Sequence, residues 1–163
     1  MIARGGAPGI ARSYIGTPYV LGGRLKGAGC DCATLLGLYL IEIGAVTPEE
    51  LWASVGLYAH DWFLHTSRER YLRQLTRLAN LTAEFVCRVD APAKSGDLVI
   101  FRAVSSKVFN HGAIVTAWPY GVHACADGVR ESNLATHRLT AYKPMDVFDP
   151  FAKMVAESTG AES

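Results

Sequence analysis

Residues 29–40 read GCDCATLLGLYL, two cysteines and an aspartate set directly against an almost wholly apolar run. Residues 32–43 form the strongest helix candidate in the chain, apolar on nearly every face and therefore expected to be central. Asp31 stands where an N-cap belongs, and Gly44 can end the helix. That puts Cys32 at a helix start, where unpaired N–H groups and a partial positive charge favour thiolate over thiol. Free cysteine also packs as a small hydrophobe, so the rest of the chain must separate packing from chemistry.

On the N-terminal side, PGIARSYI (8–15) predicts a short helix with proline in its first turn and Ile10, Tyr14 and Ile15 turned inward. GTPYVLGG (16–23) is punctuated by Gly and Pro and reads as a loop. On the C-terminal side, TPEELWASV offers Thr47 as a cap, Pro48 at the first position and two glutamates in the first turn. A further helix is predicted over 67–81, with Tyr71, Leu72, Leu75 and Leu78 as its apolar stripe. Arg68, Arg70, Arg73 and Arg77 fall largely elsewhere and read as a solvated face, since no aromatic or glycine pattern accompanies them.

After Pro92 the period changes. DLVIFR (97–102), GAIVTAW (112–118) and VHACA (122–126) are short β-prone runs separated by turn signals, with a hairpin turn expected at 119–121. THRLTAY (136–142) and MDVF (145–148) are candidate further strands. Helices first and an antiparallel sheet afterwards make the class α+β.

The 163 residues are read as one domain over 1–150 and a frayed tail over 151–163. A net charge of +1 gives no reason to expect a nucleic-acid or membrane-surface partner. No apolar run approaches the roughly 20 residues that span a bilayer. The N-terminus lacks the apolar segment of a secretory signal, so synthesis in the cytoplasm and another route of export are expected. The four cysteines read as free thiols. Cys30 and Cys32, one residue apart, make a poor zinc pair.

A cysteine nucleophile needs a base, and the base needs a third group to orient it. Of five histidines, His60, His65 and His137 sit in stretches where ordinary surface or capping roles suffice. His111 opens one β-run and His123 lies inside the next, and a helix-borne Cys facing a sheet-borne His is a recurrent thiol-peptidase arrangement. A simple hairpin ruler does not bring the two together. With the turn at 119–121, residue 123 pairs near 117, leaving His111 about six residues, or ~20 Å, along the strand. A bulge, a strong twist or a different turn is needed for contact.

GTPYVLGG, GCDCATLLGLYL, SGDLVIFR, HGAIV and VHACADG follow one another in an order that resembles the NlpC/p60 cell-wall cysteine peptidases. The likeness runs from residue 10 to about 126, and five linked motifs are more specific than any one. It implies a papain-like fold, a central N-terminal helix on a small antiparallel sheet, with residues 45–90 as a helical insert. The same likeness implies Cys32 as nucleophile, His111 as base and His123 as the orienting third member. The Cys32 N–H and the Tyr19 hydroxyl would face the oxyanion. Asp31 would meet the free amino end of a peptidoglycan stem peptide. Neither metal nor cofactor is implied. Lys26–Cys32, Tyr58 with Asp61–Trp62, and VHACADGVRESNL further resemble the phage-tail variety of the family, which implies tail-tip or hub proteins as partners, a tail location and action at the target cell's wall. Two departures stand out: Ala33 where many relatives carry serine, and the long spacing from Cys32 to His111. A tail-tip adaptor with the peptidase fold, or an amidase or transferase on the same dyad, are the competing readings.

Overall fold

Asp31 starts the central helix as its sequence position demands. In the computed structural model its carboxylate accepts the N–H groups of Ala33 and Thr34, while the Thr34 hydroxyl accepts the N–H of Asp31 in return. Such a reciprocal cap is worth about 1 kcal/mol and fixes the first turn. The structure describes residues 2–56, 58–60, 62–65, 67–68, 70, 72–75, 77, 86–88, 93–102, 106–135 and 146–151.

The chain opens with a 3₁₀ turn (Arg4–Gly6) and helix α1 (Ala7–Arg12). A small hairpin of β1 (Arg24–Leu25) and β2 (Gly29–Cys30) leads into α2 (Cys32–Glu42), which α3 (Pro48–Ser54) follows. Strands β3 (Val86–Arg88), β4 (Leu98–Phe101), β5 (His111–Ala117), β6 (Tyr120–Cys125), β7 (Gly128–Asn133) and β8 (Asp146–Asp149) form one sheet. Its order is β3-β8-β4-β5-β6-β7, and all its pairings are antiparallel.

Helix α2 is buried on most sides, with Leu35, Tyr39 and Leu40 fully covered, and lies on the sheet face that carries Leu98, Ile100, Ile114 and Val122. Fully covering a leucine contributes about 1.5–3 kcal/mol, so this contact dominates the core. Val99, Phe101, Ala113, Val115 and Leu134 pack on the opposite face. The loop after α1 closes on the outer edge of β7, where Val129 donates to Thr17 O and Gly16 donates to Val129 O, each at 2.9 Å. That edge pairing carries Tyr19 toward the start of α2, where it bridges Cys30.

Several expectations need correcting. Ile15 is exposed at 47 %, because α1 ends at Arg12 and the chain then turns, taking Ile15 out of helical phase; Tyr14 is buried as expected. GVRESN, polar to the eye, is strand β7. The 45–90 insert holds α3 and helical residues at 72–75 but ends in strand β3, so it is not wholly helical. Phe151, assigned to the tail, is a core residue with the Arg4 guanidinium over its ring at 4.7 Å. Of the helix expected over 67–81, Arg70 and Arg77 are helical with 72–75, Ser67 and Arg68 are not, and 69, 71, 76 and 78–81 lie outside the described residues, as do the expected strand at 136–142 and residues 152–163. Residues 145–148 were expected to be extended, and β8 runs from Asp146 to Asp149.

The hairpin differs most. Its turn is Trp118–Pro119, with Tyr120 already paired to Ala117, and a bulge at Thr116 shifts the register so that Val115 faces Gly121 and Ile114 faces Val122. Continuing that register sets His123 level with Ala113, one diagonal step from His111 and on the same face. Without the bulge His123 would stand opposite Ile114 and point to the helix side, since a one-residue slip flips every side chain.

Candidate active site

Cys32 occupies the first position of α2, half-buried, with its thiol directed at the Asn110 carbonyl oxygen at 3.6 Å. Asn110 immediately precedes β5, so the helix start meets the sheet at the residue adjoining His111. His111 is half-buried, and its ring lies 4.9 Å from that of Phe101, its partner across the β4–β5 ladder. His111 Nε2 is 3.0 Å from His123 Nδ1, and the rings meet edge to face. His123 is 1 % exposed, and its Nε2 lies 3.0 Å from Ser132 Oγ on β7. The result is a continuous polar line, His111–His123–Ser132, built from three neighbouring strands.

That line constrains proton positions. If His123 carries its proton on Nε2, it donates to the serine hydroxyl and presents Nδ1 as an acceptor to His111 Nε2–H. His111 Nδ1 is then the basic nitrogen, the state a general base needs.

Asp31 is 1 % exposed and its carboxylate is well occupied. One oxygen takes the cap donors and the Thr34 hydroxyl; the other accepts the Gly22 N–H and the Tyr58 hydroxyl, both at 2.6 Å. The glycine loop can make that contact because Gly22 has φ +67° and because Gly23 lies so close to the Gly29 carbonyl that a Cβ would sit 2.6 Å from it. Burial and then the bond to Asp31 push the Tyr58 hydroxyl far above its ordinary value. Tyr19 is pushed up to about 12, first by burial and then by the Cys32 and Asp31 charges, so it remains a donor through neutral and alkaline pH. Its ring also meets that of His60 edge on, centroids 6.1 Å apart, bringing an unselected histidine to the site's margin.

Cys30 is wholly buried behind this loop and its thiol is pushed up to about 11, chiefly by burial, as befits a packing residue. A pocket of about 700 Å³ extends from Cys32 between α2, α3 and the insert. Leu36, Leu40 and Leu51 contribute to its apolar wall, and Arg70, Arg73 and Arg77 also line it. The arginines are exposed, as a solvated face requires, yet they border the same space as the cysteine.

Tyr19, Asp31 and Cys32 thus lie together at the start of α2, His111 and His123 lie together on the sheet, and the Cys32–Asn110 contact brings the first group to the residue adjoining the second. Sequence reasoning left out Ser132, Thr116 and the environment of Cys125. The last had a signal: His123-x-Cys125 places both side chains on one face of a strand. Cys125 Sγ lies 3.3 Å from His123 Nδ1 and 3.7 Å from its Nε2.

No family model and no curated protein matches the chain. Among solved structures, the fold is similar to that of the NlpC/p60 domain of peptidoglycan hydrolase SagA, with a TM-score of 0.53 and 17 % identity, over 90 % of this chain and 97 % of that one. The α+β, NlpC/p60-like architecture expected from the sequence is therefore the one observed.

Proposed function

We propose that the chain is a cysteine peptidase that hydrolyses an amide bond in peptidoglycan stem peptides, at the D-glutamyl–diamino-acid bond. The observation that carries this reading is the meeting of the capped start of α2 with Asn110, the residue that adjoins the head of the His111–His123–Ser132 line. Nothing in packing asks for that arrangement.

In the proposed reaction His111 Nδ1 takes the Cys32 proton, and the thiolate attacks the scissile carbonyl carbon. The resulting oxyanion is met by the Cys32 N–H and the Tyr19 hydroxyl. Collapse expels the amine, which receives its proton from His111, and leaves a thioester on Cys32. Water, deprotonated by His111, then releases the acid and restores the thiol. His123 holds His111 in the required tautomer and shares the charge of the imidazolium.

For Asp31 to meet the amino end of a stem peptide, the amine would replace the Tyr58 hydroxyl on one carboxylate oxygen while the other keeps the helix cap. The insert would then form a wall of the cleft, with Arg70, Arg73 and Arg77 available to the carboxylates of an acidic peptide. Work within a phage-like tail at the target cell's wall is the finer part of the proposal, supported by the resemblance at residues 26–32, 58–62 and 122–134.

Digestion of defined muropeptides and intact sacculi, read by mass spectrometry with Cys32→Ala alongside, tests the proposal. Cleavage at the D-glutamyl–diamino-acid bond by the wild type alone is expected. Cleavage at another wall bond would keep the nucleophile and overturn the specificity. No cleavage, together with a Cys32 that iodoacetamide labels slowly, would favour the adaptor reading.

A further inference from the structure

We propose that His111, His123 and Cys125 form a binding site for a thiophilic divalent cation such as Zn²⁺, and that its occupation blocks the base. The inference concerns metal binding in its own right; only its inhibitory consequence rests on the peptidase reading.

The ligand atoms His111 Nε2, His123 Nδ1 and Cys125 Sγ all lie within 4.8 Å of one another. The two nitrogens are 3.0 Å apart, and Sγ is 3.3 Å from His123 Nδ1. A tetrahedral zinc ion with Zn–N near 2.0–2.1 Å and Zn–S near 2.3 Å sets its ligands roughly 3.3–3.7 Å apart. The nitrogens therefore separate by a few tenths of an ångström. Distances of 3.3 and 3.7 Å from Cys125 Sγ to the two His123 nitrogens set the thiol beside the imidazole, and binding would turn it about Cα–Cβ to face the ion. Two imidazoles and a thiolate suit a borderline-soft cation, and the fourth position stays open to water.

The strands make this trio sturdier than a surface cluster. His123 is buried on β6, Cys125 follows on the same face, and the Thr116 bulge brings His111 alongside. The Ser132 hydroxyl accepts from the remaining ring N–H of His123, an outer contact of the kind that fixes a ligating tautomer. Neither cysteine of the 30/32 pair takes part. The site was invisible in spacing rules because its members come from two strands whose register the sequence did not disclose.

The proton balance explains the block. Cys125 binds as thiolate, and its proton goes to water. Each histidine binds as the neutral ring: His123 keeps its proton on Nε2, and His111 must carry its own on Nδ1. That is the nitrogen which the proposed mechanism needs free of a proton. Metal and catalysis therefore demand opposite tautomers of one residue.

Titration of the full chain with Co²⁺, followed by absorbance and then displaced with Zn²⁺, tests the site without reference to activity. The expected result is one Co²⁺ per chain with a thiolate-to-cobalt charge-transfer band that is retained in Cys32→Ala and lost in Cys125→Ser. Zn²⁺ should raise the Tm of the wild type and raise that of Cys125→Ser by less, with circular dichroism showing both folded. Absence of the band in wild type, or its survival in Cys125→Ser, overturns the site, as does its loss in Cys32→Ala. Where wall substrate is cleaved, the Zn²⁺ concentration that halves the rate should rise at least about tenfold in Cys125→Ser. An unchanged value there overturns the inhibitory link alone, and an inactive wild type leaves the optical titration fully readable.

Discussion

Cys32 and His123 reach the same site by different means. The helix start is set by contacts close at hand: the Asp31 carboxylate gathers donors from Gly22, Ala33, Thr34 and Tyr58, and each is a separate hydrogen bond. The histidine pair is set by the phase of a ladder, in which the Trp118–Pro119 turn and the Thr116 bulge together decide which face His123 occupies. Local bonds can be lost one at a time with graded effect. A phase has only two values, and the wrong one removes His123 from His111 altogether. Catalytic geometry on the helix side should therefore decay gradually under mutation, and on the sheet side abruptly.

The comparison is sharpened first by the reacting groups themselves. Cys32→Ala and His111→Ala should each lower hydrolysis of muropeptides by at least about a thousandfold with the fold retained by circular dichroism. His123→Ala, which removes an orienting group, should cost about 10²–10³-fold in kcat. Inserting one residue between Gly121 and Val122 attacks the phase directly, setting His123 level with Gly112 on the helix side. It should cut kcat at least as far as His123→Ala, and the imidazole signals of His111 and His123 should lose their mutual coupling by NMR. Retained coupling in that insertion variant would break the contrast between the two sides.

On the helix side, Asp31→Ala removes the cap and leaves Tyr58 and Gly22 without their acceptor. A loss of about 1–3 kcal/mol is expected, read as a lower urea midpoint. Asp31→Asn should fall between the two, which is the graded behaviour a phase cannot show. The smallest effect concerns the bulge's support. Thr116 Oγ1 hydrogen-bonds the Glu131 carboxylate, which also pairs with Arg12 at 2.9 Å. The Arg12 contact comes first in holding Glu131 below its usual value. Because the folded pKa is depressed, this stabilisation is present above the unfolded glutamate range and fades as pH falls through the folded value. The Tm difference between wild type and Glu131→Gln should therefore be small at pH 6 and vanish in acid.

This division also explains what could be read beforehand. Caps announce themselves within four residues, so Asp31 and Thr47 were legible as N-caps, and both cap their helices, each with a reciprocal bond besides. Leu98–Phe101 and His111–Ala117 were legible as apolar β-prone runs. The contact between His111 and His123 was not, because a turn displaced from 119–121 to Trp118–Pro119 and one extra residue change the pairing without changing the apolar pattern. Strand β7 was missed because its outward positions are polar and half-exposed. Tyr58 carried a resemblance but no visible partner, since its bond to Asp31 spans 27 residues. Arg70, Arg73 and Arg77 were read by charge alone, which does not report that they border the pocket at Cys32.

The apolar coat of α2 has a consequence for synthesis. The helix ends at Glu42, and its principal sheet partner begins at His111. At ~5–20 residues per second, the ribosome takes roughly 4–14 s to make the intervening stretch of about 70 residues. Throughout that interval the stickiest segment of the protein exists without the surface that will cover it. Nascent chains should thus be strong clients of holding chaperones until β5 emerges, and slowing translation between α2 and β5 should raise the fraction that aggregates.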